Sequence, residues 1–208
     1  MLVVTTLYLI RHGATVGNEE KRYKGSIDVP MSEYGVEQIE RTADFIKATL
    51  GNLFLSAVYS SPLSRAFRSA EILAGPFGLA PIIVSDLRER HFGKWEGMTF
   101  DEIRLQYPRE FEAWANDPLK HRPIGGESTV AVRDRAVAAL EAILSGHGDG
   151  EMIAIAAHGG VNRVILCHIL NIPLEHIFRI EQGNGSVNII NFYDGYPVVK
   201  LLNGGPNV

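Results

Sequence analysis

Apolar and polar positions follow two periods along the chain, and their alternation sets the expected architecture. Leu2 to Ile10 is a nearly continuous apolar, β-branched and aromatic run. It predicts a buried strand that ends at Arg11-His12-Gly13. Gly13 is expected to turn the backbone tightly and let a ligand approach the main chain. An irregular, charge-rich segment from Asn18 to Met31 follows, with Gly25 and Pro30 inside it; loops of that length are often functional. Ser32 reads as the N-cap of a helix with Val36, Ile39, Ala43, Ile46 and Leu50 inward and Gly51 as its stop. Ala57-Val58-Tyr59 is a short strand. Ser60-Ser61-Pro62 then reads as a cap with proline at the first helical position, opening a helix with Ala66, Ala70 and Leu73 inward and Arg65 in its first turn.

Ile82-Ile83-Val84 is a third strand leading to Asp86-Leu87-Arg88-Glu89. Thr99 and Glu102 form a capping-box pattern, and Pro108 opens another helix holding Phe111 and Trp114. After a polar loop from Pro118 to Gly126, Ser128 caps a long helix with Val132, Ala136, Leu140 and Ile143 on one side. Met152 to Ala157 is a fourth strand, ending at His158-Gly159-Gly160. The helix from Val161 to Leu170 is apolar nearly all round and so should be buried. Ser186 to Tyr193 and Tyr196 to Leu202, joined at Asp194-Gly195, read as a closing hairpin. Strands alternating with helices predict an α/β fold: a three-layer α/β/α sandwich with a mostly parallel sheet, in one domain spanning 1–208.

Composition narrows the function classes. A net charge of −4 argues against a nucleic-acid or anionic-membrane surface, so any anion site must be a local pocket. The lone Cys167 allows no internal disulfide and suits a reducing cytoplasm. No apolar stretch approaches a membrane span, and no Lys or Arg precedes the first apolar run as a signal peptide would require.

Arg11-His12, Arg65, Glu89 and His158 share one address: the carboxyl end of a strand, or the first turn after it. In a parallel sheet these positions converge on one rim, where ligands bind. Taken singly, each is most simply a surface charge or a satisfied core histidine; jointly they match a chemistry. A neutral imidazole can attack phosphorus, and arginines can clamp phosphate oxygens. A second histidine, when protonated, adds a donor. A carboxyl can protonate the leaving alkoxide and then take a proton from water. The set can run phosphoryl transfer with no metal and no cofactor. A zinc site of His12, His158 and Glu89 is the competing reading, opposed by the two adjacent arginines. Histidines 91, 121, 147, 168 and 176, with Trp95, Trp114 and Cys167, are left structural or solvated.

The motifs resemble those of the histidine phosphatase superfamily, the phosphoglycerate-mutase-like proteins. Arg11-His12-Gly13 with Thr15 and Asn18 is similar to its signature loop. Gly25-x-x-Asp28-x-Pro30, Ser60-Ser61-Pro62-x-x-Arg65-Ala66, Leu87-Arg88-Glu89 through Gly97, Gly125-Gly126-Glu127-Ser128 and His158-Gly159 resemble the later blocks, in order. The resemblance implies His12 as the phosphorylated nucleophile, Arg11, Arg65 and His158 as the phosphate pocket, and Glu89 as proton donor and acceptor. Thr15 and Asn18 become secondary phosphate contacts, with Gly25, Lys24 and Gly159 on the substrate side. Ala14 and Lys24 depart from the family pattern, which usually has Glu and then Gln or Thr there. Similar mutases carry a tyrosine and a lysine where Phe92 and Phe100 stand, and then an arginine pair that is lacking between Gly97 and Gly126. This favours hydrolysis of a small phosphorylated metabolite over a cofactor-primed mutase or a non-catalytic phospho-ligand binder. Family members of this size include broad phosphatases and an α-ribazole phosphatase. Lys24, Phe92, Phe100, Trp114 and the loop 118–123 are expected to shape the leaving-group pocket. Oligomeric state stays open, a homodimer among the options.

Overall fold

The computed structural model describes residues 5–207, so the Leu2–Val4 part of the first expected strand lies outside the described residues. Six strands form one sheet in the order β3-β2-β4-β1-β5-β6. They are β1 (Thr5–Arg11), β2 (Ala57–Ser60), β3 (Ile82–Ile83), β4 (Glu151–Ala157), β5 (Val187–Tyr193) and β6 (Tyr196–Gly204). The first four are mutually parallel, and the β5–β6 hairpin adds antiparallel to β1, so the sheet is mostly parallel as expected.

Leu7 and Leu9 face one layer of β1 while Tyr8 and Ile10 face the other, all buried. A strand covered on both faces explains why its sequence is continuously apolar and does not alternate. Helices α1 (Glu33–Leu50) and α2 (Ser64–Ala74) cover one face, and α5 (Thr129–Ser145) and α6 (Gly159–Ile169) the other. Two short helices, α3 (Phe100–Gln106) and α4 (Pro108–Asn116), come between α2 and α5 along the chain. Ser32, Thr99 and Ser128 cap α1, α3 and α5 with their side chains, and the Thr99–Glu102 box closes in both directions. Among the described residues no helix is long and apolar enough to cross a membrane.

Three expectations change. Helix α2 starts at Ser64, so Pro62 is not its first residue. Its free N-terminal amide is capped from the long loop instead: Asp28 accepts from Ser64 N at 2.8 Å and from Ser64 Oγ at 2.7 Å. Val36 is only partly buried on α1, where Gly35 and Gln38 take the inner positions. Gly13 has its reason here. A Cβ at position 13 would run into the Gly35 carbonyl, and one at 35 into the Ala14 carbonyl, so the two backbones touch. Packing against α1 alone therefore demands Gly13.

Candidate active site

The strand register builds the centre of the site. Arg11 of β1 lies opposite Ala157 of β4, so the next residue of each parallel strand leaves the sheet side by side. These residues are His12 and His158, whose rings meet edge to face with centroids 5.1 Å apart. Ser61 leaves β2 at the same level, its N–H donating to Ala156 O at 3.1 Å.

Hydrogen bonds assign the ring protons. His12 Nδ1 lies 2.7 Å from the Gly13 carbonyl, which only accepts, so Nδ1 carries the proton and Nε2 keeps its lone pair. His158 Nε2 lies 2.7 Å from Ser61 Oγ, and that oxygen also accepts Leu63 N–H at 3.3 Å. The serine hydroxyl can donate to His158 Nε2, which puts the ring proton on Nδ1, or accept from it. That Nδ1 is buried and has no hydrogen-bond partner among the described residues. Burial pushes both imidazoles well below their ordinary range. Arg11 and Arg65 add to this at His12, and His12, Arg65 and Arg11 at His158. Burial thus works against the charged form of His158.

The arginines are held by backbone carbonyls. Arg65, 2% exposed, donates from Nη1 to Ile27 O at 2.8 Å and from Nη2 to Gly25 O at 2.6 Å. Gly25 can present that carbonyl because its φ is +51°, and a side chain there would strike Glu96 and the Arg90 backbone. Arg11 Nη1 donates to Gln182 O at 2.5 Å, while its buried Nε has no partner among the described residues. Gly159 backs Arg11 closely, since a Cβ there would sit 3.3 Å from Nε. Glu89 accepts from Arg90 N at 2.9 Å and from Gly160 N at 3.1 Å, the latter in the first turn of α6. Burial lowers both guanidiniums, with Glu89 pulling back the other way.

A cavity of about 550 Å³ is lined by Arg11, His12, Arg65 and Glu89. Thr15, Asn18, Lys24, Gly25 and Gly159 line it too, and His158 packs against His12. Lys24 Nζ donates to Thr15 Oγ1 at 2.5 Å and to Val16 O at 2.9 Å. Where Ala14 departs from the family pattern, Gln38 Oε1 receives the Ala14 N–H at 2.9 Å and Ser32 holds its carbonyl, so the first loop is oriented without a carboxylate. Among the described residues no group of three or more His, Cys, Asp or Glu is placed to hold a metal ion.

Sequence reading missed four residues. Ser61, read as a cap, is the hydrogen-bond partner of His158 Nε2. Asn184 donates to His12 O at 3.2 Å; its polar, glycine-flanked turn before β5 was the available signal. Arg163 lines the cavity from α6, one turn beyond the Gly159-Gly160 pair. Trp95, left as structural or solvated, is 4% exposed and lines the cavity with Phe92, Phe100 and Trp114.

Comparison with known proteins agrees with this geometry. The family model described as histidine phosphatase superfamily (branch 1) matches residues 7–204. The chain is 34% identical to phosphoglycerate mutase-like protein 4 of Arabidopsis thaliana over 192 residues, covering 91% of this chain and 80% of the relative. It is 33% identical to the metal-independent phosphoserine phosphatase of the same plant over 193 residues, covering 92% and 78%. The solved structure of the α-ribazole phosphatase from Shigella flexneri superposes with a TM-score of 0.84 at 25% identity, covering 96% of each chain. The chain thus belongs to the histidine phosphatase superfamily and is an enzyme of the phosphatase type.

Proposed function

We propose that the enzyme hydrolyses small phosphorylated metabolites, without a metal, through a phosphohistidine on His12. One observation carries this reading: the His12 Nδ1–Gly13 bond leaves Nε2 unprotonated, in a cavity wall shared with Arg11, Arg65 and Glu89. Nε2 attacks phosphorus and the P–O ester bond breaks. The departing oxygen takes the proton of the Glu89 carboxyl. Arg11 Nε and the His158 Nδ1–H, both without protein partners among the described residues, supply donors to the transferring oxygens, and Arg65 adds its charge. Water then attacks the phosphohistidine, giving its proton to Glu89, and neutral His12 is restored with inorganic phosphate as product. The phosphoserine and α-ribazole phosphate named for its relatives are the metabolite classes to screen first.

Two guanidiniums supply the positive charge that a metal would otherwise bring, so exhaustive chelation leaves turnover intact. Rapid acid-free quenching shows an acid-labile phosphoryl group on His12. His12→Ala abolishes both label and turnover, by roughly 10⁴-fold or more, on the scale of nucleophile removal elsewhere. Full turnover in that variant overturns the mechanism. Hydrolysis is favoured over isomerisation because Phe92 and Phe100, which line the cavity, stand where similar mutases carry a tyrosine and a lysine. With 3-phosphoglycerate and a bisphosphoglycerate primer, phosphate release outpaces isomerisation; the opposite order assigns a mutase.

A further inference from the structure

The cavity is lined by more cations than phosphate transfer needs, and most of them are already engaged. Arg65 and Arg11 hold carbonyls beside the nucleophile. Arg22 is paired with Glu20 and Glu102. Arg90 spends its nitrogens on Glu127 O, Thr129 Oγ1 and His121 O. Lys24 gives two of its three hydrogens to Thr15 and Val16. Arg163 differs. Its Nε donates to Ile180 O at 2.7 Å, fixing the direction of the guanidinium. Among the described residues its two terminal nitrogens have no partner, and no carboxylate lies within ion-pair distance.

Its position on α6 says what those nitrogens meet. Gly159, Gly160, Arg163 and Val164 all line the cavity, at the spacing of one helix face. Gly160 N–H holds Glu89, so Arg163 stands one turn further along the face that carries the leaving-group acid. Phosphate is gathered at the other end of that face, against Arg11 and His12. Arg163 is half-buried and its charge is weakened first by burial, with Glu89 and then Glu181 supporting it. A planar fork held by its Nε, with free N–H groups, matches a carboxylate in two-pronged geometry.

We propose that Arg163 is a specificity residue that receives a carboxylate carried by the leaving group, so that the favoured substrates are phosphomonoesters of small hydroxy acids. This rests on the hydrolase reading above. The matched pair 3-phosphoglycerate and glycerol 3-phosphate differs only in carboxylate against hydroxymethyl and reads the wild-type enzyme directly. The expected result is a kcat/KM for the acid about 10- to 100-fold higher, the range of a charged hydrogen-bonded pair. Arg163→Gln collapses that ratio toward one through the KM of the acid. Arg163→Lys keeps part of it, having charge but no fork. A proportional loss on both substrates in the Gln variant means that Arg163 only anchors the Ile180 segment, and overturns the proposal. So does a wild-type enzyme that turns over p-nitrophenyl phosphate with no preference within the pair. If all three esters are inert, the hydrolase reading falls and takes this assignment with it.

Discussion

The two sides of the cavity are built on opposite plans. On the side of the two histidines, four groups are held by backbone atoms (His12 by Gly13 O, Arg65 by Gly25 and Ile27, Arg11 by Gln182, Glu89 by two amides) and His158 by Ser61 Oγ. The elements beneath are strand ends whose neighbours are fully buried. The facing side, α3 and α4, is held chiefly by its own aromatic cluster, Phe100, Phe111 and Trp114, with Trp95 beneath. Ile103 is the only buried residue of α3, α4 has none among those described, and Leu105 is 82% exposed. Preorganised donors gain their effect from rigidity, whereas a wall that meets varied leaving groups gains from looseness. One cavity thus joins a fixed wall to a looser one.

Substitutions should separate the two plans. Arg65→Ala removes a preorganised charge and also strands two carbonyls; it should cost on the order of 10²–10³ in kcat, checked by steady-state kinetics on an aryl phosphate. Glu89→Gln should lower kcat on alkyl phosphates by roughly 10²–10⁴ while sparing activated aryl phosphates, which leave without a proton. Equal losses on both would remove Glu89 as the leaving-group acid. The rigid side also carries a pH signature. His12 and His158 bind protons far less readily folded than unfolded, so the unfolded chain protonates first as pH falls below about 6.5. Stability is full above that pH and is lost on acidification toward the folded values. Thermal melts at pH 7.5 and 5.5 should show this, with a smaller drop in His158→Asn. Last and smallest, Trp114→Ala should raise KM several-fold for bulky esters more than it lowers kcat. Amide exchange should be fastest across 100–116 in the wild type. Protection there equal to that of β1 would erase the contrast.

Local pattern carried most of the architecture into view. Strand β1, helices α5 and α6 and the final hairpin follow from periods and caps that act over a few residues. The convergence of His12, Arg65, Glu89 and His158 was legible because parallel strands put their carboxyl ends on one rim. What escaped depends on partners far apart in the chain. The start of α2 is set by Asp28, 36 residues upstream. Ser61 matters through a bond to residue 158, and Asn184 through one to residue 12. Arg163 resembles any solvated helix charge until α6 is placed with its glycine pair toward Glu89. Trp95 reads from sequence only as structural or solvated; it is buried and also lines the cavity.

The bare contact between Gly13 and Gly35 reaches beyond packing. Position 35 does not line the cavity and holds no titratable group, yet a single methyl there would wedge α1 away from the loop that holds His12. In a saturation scan scored by turnover, Gly35 will look like a member of the catalytic set. Any attempt to graft this site onto another scaffold has to carry the helix along with the histidines.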